Sequence, residues 1–236
     1  MTVKLYLENS YLKEATVKVV STEGGIILDK TVFYPTGGGQ PCDLGTISTP
    51  DASYTVMDVK KNGEDVLHIV SGECKLASGD EVRCAIDWDR RYAHMRHHTA
   101  LHVIDGVMEK NYKGAITGNQ IYTDRLRMDI ELDGLTREMV AEIIKDSQVI
   151  IDEGHEIVMK IISQAEALAN PDLIRTEPGR ELVKRLTSVQ VLDIVGFDMQ
   201  IDAGTHVRNT KEVGKIELSG FESKGAKKKR VEVVLK

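Results

Sequence analysis

The chain of 236 residues is 41% hydrophobic and 29% charged, which suits a soluble globular protein with one large core or two modest ones. Lys and Arg number 31 against 37 Asp and Glu, a formal charge of −6, which argues against a non-specific polyanion binder and against DNA. A local basic patch could still dock RNA phosphates. No apolar run is long enough to span a bilayer, and the opening MTVKLYLENSYLK lacks the layout of a secretory signal, so the expected location is cytoplasmic with no membrane partner. Cys42, Cys74 and Cys84 are odd in number and widely spaced, with no CxxC pair. A disulfide framework is not expected, and a metal site would have to lean on histidine and carboxylate.

Residues 1–87 read as β. Val3–Leu7, Thr16–Val20, Ile26–Leu28, Val56–Val59, Val66–Val70 and Val82–Ile86 are short β-branched or apolar runs parted by turn residues, a pattern that predicts a small barrel or sandwich. The character changes at Asp87-Trp88-Asp89. Arg90–Met108 predicts a helix, with Asp89 as its cap and Gly114 just past its end. Leu126–Leu132 predicts a strand and Thr136–Glu153 a second helix with one apolar stripe. Ile157–Ile162 predicts a strand, Ser163–Ala169 a short helix, and residues 170–188 a loop with a short helix. Val189–Val195, Lys215–Leu218 and Arg230–Leu235 are expected to complete a sheet. The expected fold is α+β: a β-barrel-like domain over 1–87, then an α/β two-layer domain over 88–236.

Within the first helix, His98-Thr99-Ala100-Leu101-His102 puts two imidazoles four residues apart on one face, a common arrangement for zinc. The plain alternative is a helix with surface histidines, and His94 and His97 leave the register open. Thr99 stands where a zinc protease needs its glutamate, so that chemistry is excluded. About a hundred residues on, Asp202-Ala203-Gly204-Thr205-His206 offers a carboxylate and an imidazole as further ligands, or else a turn with a capping Asp. Phe33-Tyr34-Pro35-Thr36-Gly37-Gly38-Gly39-Gln40-Pro41 is a loop whose backbone can approach a ligand closely, though it is no phosphate-binding P-loop. Ile116-Thr117-Gly118-Asn119-Gln120 reads as a turn before the Leu126 strand. Lys224–Arg230 is a cationic run, either a solvated turn or a phosphate contact.

His98-x-x-x-His102 followed by Gly204-Thr205-His206-Val207 resembles the editing domain of alanyl-tRNA synthetase, and more closely the free-standing AlaX proteins. The glycine-rich loop ahead of the histidine helix extends the likeness over nearly the whole length, toward the medium-length AlaX-M class. That family pairs HxxxH with a CxxxH motif; this chain carries Asp202 where cysteine is usual and Ala203 for a glycine. The resemblance implies Zn²⁺ on His98, His102, Asp202 and His206. It implies a substrate pocket near Gly37, Gly38, Gly39 and Thr205, and Thr117, Asn119 and Gln40 as catalytic candidates, Thr117 being the best match to the family's pocket hydroxyl. It also implies tRNA contacts from Arg90, Arg91, Arg96, Lys227, Lys228 and Lys229.

The implied activity is ATP-independent hydrolysis, in trans, of tRNA(Ala) mischarged with serine or glycine, in the service of translation fidelity. Three rivals stand beside it: a tRNA-binding or synthetase-associated module without catalysis, editing of seryl-tRNA(Thr), and a release-factor-like role for Gly38-Gly39-Gln40, in which Gln40 would be essential and the histidines dispensable.

Overall fold

The computed structural model describes residues 1–170, 173–174, 177–225 and 228–236. The chain divides into two compact units, Met1–His94 and Met95–Lys236.

In the first unit, β2 (Glu14–Ser21), β3 (Ile26–Leu28), β5 (Gly45–Ser48), β6 (Ser53–Asn62), β7 (Asp65–Val70) and β8 (Glu81–Ile86) close into a barrel of order β2-β3-β7-β6-β5-β8. Alternation explains the interior: along β2, Val17 and Val19 point inward while Lys18 and Val20 point out. Phe33, Leu28, Ile47, Val59 and Cys84 fill the centre. The start departs from expectation. Only β1 (Val3–Lys4) is extended, pairing in parallel with β4 (Lys30–Thr31), and the chain then turns into the short helix α1 (Leu5–Glu8), which buries Tyr6.

The division between the units falls inside α2 (Trp88–Val107). Its cap is Asp87, whose side chain accepts the Arg90 N–H at 3.1 Å, and not the expected Asp89. A π-turn over Met108–Tyr112 follows and ends at Lys113 in the left-handed region.

The second unit holds two sheets where the sequence suggested one. β14 (Ile216–Ser223), β15 (Lys228–Leu235), β10 (Leu126–Glu131) and β9 (Ala115–Ile121) form an antiparallel sheet in that order. β11 (Ile157–Ser163), β12 (Ser188–Ile194) and β13 (Asp198–Ile201) form the other. The helix α3 (Arg137–Glu153) is capped by Thr136, ends at Gly154, and buries Val140, Ile143, Ile144 and Ile151. The α4 helix (Gln164–Ala169) starts on a Ser163–Glu166 capping box and α5 spans Glu177–Val183. Among the described residues no helix is long and apolar enough to cross a membrane.

Candidate metal centre and its pocket

The helical period of α2 puts His98 and His102 on one face, with ring centroids 5.0 Å apart. Opposite them, β13 ends at Ile201 and hands the chain to Asp202, and the turn through Gly204 brings in His206, 4.5 Å and 5.2 Å from the two helix rings. One donor atom from each of His98, His102, Asp202 and His206 lies within 4.8 Å of the others. Of the histidines whose register the sequence left open, His98 and His102 join this cluster, while His94 and His97 are buried but stand outside it.

Two of the separations exceed hydrogen-bond length. Asp202 Oδ1 lies 3.5 Å from His98 Nε2 and 3.6 Å from His102 Nε2, too long for a good hydrogen bond. Donors bound at about 2.0–2.1 Å around a tetrahedral ion sit about 3.3–3.5 Å apart. His102 Nε2 is buried with no hydrogen-bond partner among the described residues. The donor set of three imidazoles and one carboxylate therefore fits a divalent ion of the zinc type.

Neighbouring groups hold the candidate ligands in place. Gln200 Oε1 lies 2.6 Å from His102 Nδ1, while its amide donates to the His102 carbonyl at 3.0 Å and to Asp198 Oδ2 at 2.6 Å. Nδ1–H of His102 thus donates to Gln200, leaving Nε2 as the lone-pair donor. Thr99 Oγ1 sits 3.2 Å from His206 Nδ1 and plays the same part there. Asp202 Oδ2 accepts from Gly204 N at 2.5 Å and meets His206 Nε2 at 2.9 Å. Gly204 leaves room for the His98 ring, which a Cβ at that position would strike. Gln200 and Thr99 carry no metal-ligand signature, and nothing in the residues around Gln200 singles it out.

Electrostatics follow from the packing. Burial alone would raise the Asp202 pKa, yet the fields of His98 and His102 and the hydrogen bond of His206 hold it well below the usual carboxylate range. Burial lowers His206. It pulls the same way on His102, but Asp202, Gln200 and Asp105 more than offset it and raise that imidazole.

A pocket of about 110 Å³ opens beside His102, lined by Leu101, Asp105, Ile116, Asn119 and Gln200. The stretch expected to be a turn is in fact β9, and it contributes Asn119, whose Oδ1 is buried and meets no donor among the described residues. Thr117 is placed elsewhere. It is exposed, its hydroxyl donates to the Asp129 carbonyl at 3.2 Å, and it does not line the pocket. The reason is a β-bulge: Asp129 pairs with Gly118 and Ile130 with Ile116, so Thr117 is the extra residue. Ile116 and Asn119, three apart, therefore line the same pocket. Thr205 is fully buried and is not among the lining residues either.

The other expected residues lie as follows. Gly37 and Gln40 exchange backbone hydrogen bonds of 3.1 and 3.0 Å around Gly38 and Gly39, whose φ of 60° and 82° make a turn that other residues rarely adopt. The Gln40 side chain is completely buried, which disfavours a release-factor-like role. Arg91, expected to meet tRNA phosphate, is instead a core residue and that expectation is corrected. Its guanidinium has no exposure, pairs with the equally buried Asp43, and donates to the carbonyls of Val32 and Ser10 at 2.7 and 2.9 Å. Arg90 donates to the Cys42 carbonyl and Arg96 to that of Val213. Lys229 donates to Ser223 Oγ and the Gly225 carbonyl, and Lys228 opens β15. Lys227 lies outside the described residues.

Comparison with known proteins agrees with this layout. A family model described as tRNA synthetases class II (A) matches residues 2–90, and one described as threonyl and alanyl tRNA synthetase second additional domain matches 189–232. The alanyl-tRNA editing protein AlaX-M of Methanosarcina mazei is 38% identical over 98% of this chain and 95% of its own. That of Saccharolobus solfataricus is 36% identical over 100% of both chains. The alanine–tRNA ligase of Ignicoccus hospitalis is 35% identical over 91% of this chain but only 24% of its own, so the likeness there is to one part of a larger enzyme. End-to-end identity at this level establishes that the chain belongs to the AlaX-M family of alanyl-tRNA editing proteins.

Proposed function

We propose that this chain is a zinc-dependent aminoacyl-tRNA deacylase that removes serine, and less selectively glycine, from mischarged tRNA(Ala). The observation that carries the reading is the four-donor cluster beside a small pocket, in a chain alike throughout to proteins named for alanyl-tRNA editing. His98, His102, Asp202 and His206 would hold the ion, whose chemistry is Lewis acidity at an ester carbonyl.

The chain's own residues supply selectivity. A pocket of about 110 Å³ admits a small amino-acid group and little more. A serine hydroxyl donating to Asn119 Oδ1 would satisfy a buried acceptor that alanine leaves unmet. Sites built to bond a hydroxyl reject the analogue lacking it by up to roughly 10⁴ to 10⁵. Glycine differs from alanine by a methyl alone, worth about 1–3 kcal/mol, so selectivity for the glycyl ester is expected to be weaker.

The test follows ester loss from seryl-tRNA(Ala), alanyl-tRNA(Ala) and seryl-tRNA(Thr), with and without a chelator. Loss of the seryl-tRNA(Ala) ester alone, abolished by chelation and by His102→Ala, is the expected result. An intact seryl ester with zinc-loaded protein would refute the hydrolase and favour a tRNA-binding module. Equal loss from seryl-tRNA(Thr) would refute the restriction to the alanine system.

A further inference from the structure

We propose that Asp105 binds the α-ammonium group of the esterified amino acid, so that the pocket requires a free α-amine and not merely a small acyl group. The inference rests on the deacylase reading and deepens it by naming a substrate feature.

Asp105 follows His102 by three residues on α2, so both project from one side of the helix, and both line the pocket. It is half-buried and supplies the one formal negative charge among the lining residues, which include no lysine or arginine. Asn119 and Gln200 line the same pocket with neutral amides, and Leu101 and Ile116 with apolar surface. A carboxylate lining a small, partly apolar pocket favours a cationic occupant over a neutral one of equal size. An aminoacyl ester carries such a cation within two bonds of the carbonyl carbon. α-Amino groups titrate near about 7.7–8.0, so the group is largely protonated at pH 6.5. An amine on Asp105 and a side-chain hydroxyl on Asn119 would hold the α-carbon at two points, fixing the ester carbonyl with respect to His102.

The experiment compares seryl-tRNA(Ala) with its deaminated analogue, in which a hydroxyl of similar size replaces the amine, at pH 6.5 with zinc-loaded protein. The native chain is expected to prefer the amine by roughly 10- to 100-fold in kcat/KM, the range of a charge-assisted hydrogen bond. Asp105→Asn is expected to erase that preference, mainly through KM on the amino ester, while zinc content per chain stays unchanged. A merely structural Asp105 would slow both esters alike. The proposal is overturned if the native chain cleaves both esters equally, a comparison that needs no variant, or if Asp105→Asn keeps the full preference. If the zinc-loaded native chain cleaves neither ester, the deacylase reading fails and this inference falls with it.

Discussion

Gly204→Ala is the sharpest probe of the metal centre, because its effect follows from one distance argument. A Cβ on Gly204 would lie far inside van der Waals contact of His98 Cε1 and Nδ1, and 2.9 Å from Asp202 Oδ2. Non-bonded carbons settle about 3.5–4.0 Å apart, so the His98 ring must move by more than about 1 Å. Metal–ligand distances tolerate about 0.2 Å. The displacement is several times the tolerance, and His98 should drop out as a ligand. Zinc affinity is expected to fall at least about 100-fold. At zinc levels that saturate the native centre, such a fall removes roughly 2.7 kcal/mol of zinc-dependent stabilisation. Overpacking of the metal-free fold adds about 1–3 kcal/mol of destabilisation, a separate effect present with or without metal. Competition against a chromophoric chelator gives the affinity, and Tm measured with and without zinc separates the two effects. A Gly204→Ala protein that binds zinc as the native chain does would refute the assignment of His98 as a ligand.

Other consequences can be measured as directly. Asp202→Cys, which restores the sulfur usual in this family, is expected to tighten zinc on the order of tenfold, because thiolate is the softer ligand; chelator competition showing weaker binding would count against Asp202 as the fourth donor. Arg91→Met strands the buried Asp43 carboxylate and should cost about 3–5 kcal/mol of stability, followed by the fluorescence of Trp88, the chain's single tryptophan, in urea. Stability equal to the native chain would contradict the burial of that pair. Burial lowers the His68 pKa to about 4, the neutral ring bonding Ile26 O and Thr31 Oγ1 at 2.9 and 2.8 Å. Because the folded value lies below the unfolded 6.5, its contribution is complete above pH 6.5 and is lost as pH falls toward 4, about 3 kcal/mol in all. His68→Gln should flatten that acid slope in unfolding free energy; an unchanged slope would show that other groups set it.

The two histidines of α2 were legible because a helix repeats nearly every four residues, and the Asp202–His206 pair because a second pair of metal-type residues stands beside a family motif. The barrel was legible from its alternating runs. The rest depended on facts that local sequence does not carry. Thr117 and Asn119 look equivalent in a regular strand, and only the bulge opposite Asp129 and Ile130 separates them. Arg91 looks like a surface cation until Asp43, 48 residues earlier, is found beside it. Gln200 has no signature, since a glutamine orients a ligand only through the partner it meets. The four-residue strand β13 lacked the length to stand out, so the second unit's strands seemed to belong to one sheet.

The four candidate metal donors come from two stretches of chain, His98–His102 and Asp202–His206, about 100 residues apart. An ion gripping both would be a staple across a loop of about 100 residues. Because the unfolded chain holds the two stretches apart, the ion's binding free energy would add to the stability of the folded unit. The ion would then be a folding determinant of the second unit as well as a reagent, and a cell starved of zinc would lose the protein itself to unfolding and turnover, not only its activity.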